Sequence, residues 1–158
     1  MDELIAYRQE LLSALEHVIT DLAALVKHTP FKDWHHRVEN ERHTAHQILV
    51  HLWALEAGEF ALYNRRINDE EEPQLPLFDD AAWMNTHYQA KEKPRNILSD
   101  FINLRSLELE WLRQLPPASW SRTARHPRWG VHTLQWWIEL QLEYSRQHLS
   151  DLSRILDT

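Results

Sequence analysis

Two glycines, Gly58 and Gly130, in 158 residues leave this chain little with which to turn a sheet, because tight turns between strands call on glycine for left-handed backbone angles. What fills the chain instead is Leu, Glu, Gln, Ala and Arg together with eight Trp, a composition that favours helix. The expected class is all-α. The length is that of one domain, taken as residues 1–158, and is sufficient to bury a core without covalent staples.

The clearest helix start is Thr44, which with Gln47 three residues later forms a capping box. From there Ile48, Leu52, Leu55, Glu59 and Leu62 recur at three- and four-residue steps and are assigned to an inward face that runs to about Arg66. Glu56, Asn64, Arg65 and Arg66 fall elsewhere, and His51 lies beside the inward face. Upstream, Leu4, Leu11, Leu15, Val18, Leu22 and Leu25 predict a helix from Asp2 to about Lys27, stopped by Thr29-Pro30. Residues 31–43 are polar and irregular, with Trp34 the one large candidate for burial. Asn68 to Asp80, with four consecutive acids and Pro73 and Pro76, reads as a solvated crossover, after which Asp79-Asp80 cap a short helix through Tyr88.

Pro94 suits the first turn of a third long helix, with Ile97, Phe101, Leu104, Leu107 or Glu108, Trp111 and Leu115 inward and Pro116-Pro117 as its stop. Ala118 to Gly130 is a turn-rich connection. Thr133 opens a fourth helix with Leu134, Ile138, Leu142, Ser145, Leu149, Leu152 and Leu156 facing the core. Four long helices and one short extra helix in the crossover between the second and third make a four-helix bundle, a fold that builds its sites from side chains on facing helices.

Several function classes drop out. With no cysteine, disulfides, thiolate metal sites and a cysteine nucleophile are excluded. The amino terminus carries acids where a secretory signal carries bases and an apolar run, so a cytoplasmic location is expected. The apolar runs fall far short of the roughly 20 residues that span a bilayer, so no membrane association is expected. A net charge of -7 argues against a nucleic-acid partner. Ser, His and Asp occur without a strand-turn-helix nucleophile motif, which argues against a hydrolase triad.

Eleven histidines are the unusual count. His51 and His148 lie mid-helix beside apolar stripes on helices that can face each other, and Tyr144 sits one turn before His148 on the same face. Two imidazoles from different helices can hold Zn, Ni, Mn or Fe, although such ions ordinarily take three protein ligands and water. Tyr144 is the candidate third ligand. The same spacing is compatible with two partly buried, hydrogen-bonded histidines and no metal. His35, His36, His43 and His46 read as a solvated group, because adjacent histidines cannot share a helical face. His132 precedes Tyr144 and His148 by 12 and 16 residues, roughly 18 to 24 Å along a helix, too far to join them. Trp136-Trp137 should place one ring in the core and one near the surface, where it could meet a second copy.

The ordered set Trp34, Thr44, Gln47-Ile48-Leu49, His51-Leu52, Glu56, Arg65, Pro76, Asp79, Trp83, Phe101, Arg105, Leu115, Trp120, His126-Pro127, Gly130, Thr133-Leu134 and His148-Leu149 resembles the DinB-like, or YfiT-like, superfamily over about residues 30 to 156. The resemblance implies an up-down-down-up bundle, often a homodimer, with a divalent metal held by three histidines. One of these matches His51 and another His148; the remaining one falls on Tyr144. Ala54 stands where many relatives keep an acid. The resemblance thus implies a divalent-metal-dependent hydrolase or thiol S-transferase acting on a small molecule, with a degraded histidine triad. The competing expectation is a non-catalytic, dimeric binding or scaffold bundle that has lost its metal.

Overall fold

The computed structural model describes residues 2–157. The first helix, α1 (Asp2–His28), packs on α6 (Pro94–Arg113) and α7 (Leu134–Leu156), and α3 (Ala45–Leu55) packs on the same two helices from the other side. These long helices form the expected four-helix bundle. The core runs along its axis through Leu15, Leu22, Leu49, Leu52, Phe101, Leu109, Trp137 and Ile138. Arg8 hydrogen-bonds Gln135 in the first turn of α7, so Leu4, one turn earlier, lies past the bundle's end and is exposed rather than inward.

A short helix, α2 (Phe31–Trp34), interrupts the segment expected to be irregular and buries Trp34. Thr44 forms the capping box: its Oγ1 accepts from the Gln47 backbone N–H at 3.2 Å, and Gln47 Oε1 accepts from the Thr44 N–H at 2.9 Å. The helix it starts does not keep one pitch. Residues Glu56–Phe60 form a π turn before α4 (Ala61–Asp69) continues the rod. One extra residue in a helix rotates every later residue by about 100°. Leu62, expected inward, therefore faces out and is exposed, whereas Phe60, Tyr63, Asn64 and Ile67 turn into the core; Glu56, where the turn begins, is buried already, one turn after Leu52.

The burial of Glu56 explains a second departure. On α6 the buried face carries Arg105 with Leu109 and Leu112, and Trp111 is only half-buried; of the two residues offered for one inward position, Glu108 is buried and Leu107 is exposed. Arg105 donates to both Glu56 oxygens, at 2.5 and 2.7 Å, and also to the Leu15 carbonyl and Ser145 Oγ. Gln141 donates to Glu56 and accepts from Asn64. A charged pair this deep is tolerated because its lone pairs and protons are satisfied from all four helices.

The crossover is less solvated than expected. Glu70 to Glu72 are exposed, but Leu75 is buried and its N–H bonds the Arg125 carbonyl. It then delivers α5 (Asp80–His87), capped by Asp79, whose Oδ1 accepts from the Ala82 N–H at 2.9 Å. The turn-rich connection is a 3-10 turn (Pro117–Ser121) followed by a hairpin of β1 (Thr123–His126) and β2 (Gly130–Thr133). Its tip uses one of the two glycines: Gly130 has φ +76°, which a side chain would strain. Thr133 caps α7 by accepting from the Trp136 N–H. No helix among the described residues is long and apolar enough to cross a membrane.

Candidate metal centre

His51 and His148 meet across the packed α3 and α7, with His51 Nδ1 2.8 Å from His148 Nε2. The outer nitrogen of each ring is also engaged. His148 Nδ1 is 2.7 Å from the Tyr144 backbone carbonyl, and His51 Nε2 is 2.6 Å from Asp80 Oδ2. A carbonyl or carboxylate oxygen only accepts, so both outer nitrogens carry the ring protons. The two facing nitrogens are then left with lone pairs aimed at each other. A positive charge must lie between them, either a shared proton, which makes an imidazolium beside the Asp80 carboxylate, or a metal ion.

The donor chemistry fits an ion. Metal-binding histidines commonly direct their other N–H to a carboxylate or backbone carbonyl, which fixes the tautomer and the ring plane. Two nitrogens on one ion, each at about 2.0–2.1 Å, stand about 3–3.4 Å apart. The rings would open by about 0.2–0.6 Å from the 2.8 Å seen. The three-histidine cage does not form: Asp80 meets His51 on its far nitrogen, and among the described residues no group of three or more His, Asp and Glu side chains is arranged to hold a metal ion. Tyr144, expected as a third ligand, orients His148 through its carbonyl, while its ring packs edge-on to Phe60 and lines a cavity with both histidines.

Burial holds His148 below the ordinary histidine value, with neighbouring His51 adding to the effect. His51, Asp80 and His148 lie between two cavities. A groove of about 720 Å³ opens past Ile48, Met84 and Tyr88, with Arg154 held at its edge by Glu41 and Asp151. A smaller cavity of about 260 Å³ is lined by Leu55, Leu77, Phe78, Trp129 and Tyr144. Glu59, on the π turn, also lines the smaller cavity; burial, with the Asp80 charge adding, pushes its carboxyl up to about 7.

The other histidines separate. His46 is fully buried rather than solvated: Nε2 donates to the Glu92 carbonyl at 2.6 Å and Nδ1 accepts from Tyr88 Oη at 2.7 Å, tying α3 to the segment before α6. His35 stacks on it at 4.5 Å. His132 stacks on Trp136 at 3.6 Å, on the hairpin. Trp137 is fully buried and Trp136 half-buried, the division expected of that pair.

The sequence pattern did not single out Asp80 as a site member, because it reaches His51 only through the long crossover. Arg128 was also missed; the Asp79-Asp80 cap and the His126-Pro127 turn were the available signals. His126 Nδ1 accepts from the Arg128 and Trp129 backbone N–H groups, so the histidine shapes the hairpin tip that places Arg128 and Trp129 at the smaller cavity.

The family model described as the DinB superfamily matches residues 1–152. No curated protein matches the chain. Among solved structures, similarity extends to YfiT from Bacillus subtilis, described as a probable metal-dependent hydrolase with an unusual four-helix bundle topology. The match has 20% sequence identity and a TM-score of 0.83, and covers 93% of this chain and 84% of that one. At that identity the likeness concerns the fold.

Proposed function

Since the chain belongs to the DinB superfamily, we propose that it is a divalent-metal-dependent enzyme, a hydrolase or thiol S-transferase, in which His51 and His148 would hold the ion. The observation that carries this reading is the pair of facing nitrogens whose outer partners are both committed to acceptors. Zn, Ni and Fe suit imidazole donors, whereas Mn would rely more on oxygen ligands. A bound divalent ion would make a water or a low-molecular-weight thiol nucleophilic near neutral pH.

The chain's own residues supply the rest. Asp80 and the Tyr144 carbonyl hold the two rings in register. Tyr144 is either the third protein ligand or a hydrogen-bond donor to the substrate. Glu59 can take or give a proton near neutral pH at the wall of the smaller cavity. Leu77, Phe78 and Trp129 keep that cavity largely apolar, and its size suits a small molecule. The reading includes a cytoplasmic location and a homodimer, for which the half-buried Trp136 is the candidate contact.

The test is a screen of activated esters and thiol-acceptor electrophiles with EDTA-treated protein, reloaded separately with Zn, Ni, Mn and Fe. The expected result is turnover that needs the ion and disappears in His148→Ala. Loss of every activity with all four ions, or turnover indifferent to His148→Ala, would favour the non-catalytic bundle instead.

A further inference from the structure

Arg128 projects from the hairpin tip at the rim of the cavity that also holds Glu59, Tyr144 and the two histidines. It shares the lining of that cavity with Glu59, Tyr144 and His126. Among the described residues its side chain has no hydrogen bond and no ion pair, although Glu59 faces the same space. Arg128 is exposed, and what sets it apart from the chain's other unpaired surface arginines is its place in the lining of the cavity that holds His51, His148 and Glu59. The backbone beneath Arg128 is fixed, since its N–H is bonded to His126 Nδ1 at 3.1 Å. A guanidinium on an anchored turn, unpaired, at the mouth of a mostly apolar cavity has the form of a receptor for a planar anion.

We infer that Arg128 selects the substrate, and that the substrate is a small carboxylate whose apolar body lies against Leu77, Phe78 and Trp129 while its charged end pairs with the guanidinium. The inference deepens the metal-site reading and rests on it for the identity of the site. A carboxylate fits better than a phosphate ester: one arginine matches one planar monoanion, and Glu59 and Asp80 line the same cavity and would oppose a dianion. The cavity, at about 260 Å³, admits one small ring or a short branched chain. The carboxylate end lies at the rim, so the opposite end of the molecule points toward His51 and His148.

The probes are benzoate and its neutral isostere benzamide, titrated by ligand-observed NMR into EDTA-treated protein, so that capture of the carboxylate by a metal cannot contribute. Wild type is expected to bind benzoate at least about tenfold more tightly than benzamide, the effect of one charge-assisted pair. Arg128→Gln should lose that preference while keeping its affinity for benzamide, and Arg128→Lys should restore part of it, because the charge survives without the fork. Zinc titration of the same Arg128→Gln protein should be unchanged, which separates failure of this inference from failure of the metal reading. Equal affinity for the two probes, no saturable benzoate binding, or a preference that survives in Arg128→Gln would overturn the assignment.

Discussion

Asp80 and His51 are joined by a hydrogen bond of 2.6 Å that links the start of the short crossover helix to the middle of a bundle helix. The contact decides which nitrogen of His51 faces His148. With the Nε2 proton on the carboxylate side, Nδ1 is left with its lone pair for a cation.

Asp80→Asn keeps the shape of the side chain but removes the acceptor charge that fixes the tautomer. Zinc affinity should fall by about 10–100-fold, with the fold intact by circular dichroism. Competition titration against a zinc-binding dye measures this. Unchanged affinity would show that Asp80 does not orient the ligand.

The buried pair of Arg105 and Glu56 gives a stability prediction. Arg105→Met leaves the Glu56 carboxylate in the core without its main partner, a change that costs about 3–5 kcal/mol. Guanidinium denaturation should show a lower midpoint. Because Arg105 also bonds the Leu15 carbonyl and Ser145, α1, α6 and α7 should loosen together as seen by hydrogen exchange.

Glu59 makes stability depend on pH. Its folded value, about 7, lies above the ordinary 4.5. Between those values the unfolded chain has released a proton that the folded protein still holds, so stability falls as pH rises through that window and levels off above it. Glu59→Gln removes the contribution. The variant should gain stability relative to wild type at about pH 8 and show no such gain at about pH 4. Thermal melts of metal-free protein at the two pH values check the sign.

Gly58 lies in the π turn against Phe78, one of the walls of the smaller cavity. An added Cβ would stand 2.5 Å from the Phe78 ring. Gly58→Ala must displace that ring, at a cost of about 1–3 kcal/mol for overpacking. A lowered Tm together with weakened benzoate binding would be the expected pair of results.

Much of the bundle was legible because its signals are local. Thr44 and Gln47, Asp79, Pro94 and Thr133 mark helix starts through chemistry within one turn, and each marks the start of an element. The π turn left no such mark, since a single extra residue alters no propensity and shows only in the phase of the residues after it. Leu62 was therefore assigned to the wrong face, while Glu56, one turn after Leu52, was set aside because it is charged. Arg105 broke the apolar stripe of α6 for a related reason: its burial depends on Glu56, the Leu15 carbonyl and Ser145 on other helices. The His51 and His148 pair could be found from spacing along two helices. Asp80, Glu59 and Arg128 complete the cavity from a crossover, a π turn and a hairpin, and no pattern along the chain brings those three together.

The most direct measurement is elemental analysis of protein purified without an affinity tag, beside His51→Ala and His148→Ala samples and an EDTA-treated control. The account predicts near-stoichiometric Zn, Ni, Mn or Fe in the wild type and its loss in both variants. Protein that carries no metal, even after incubation with excess ions, or metal content unaffected by either substitution, would contradict it.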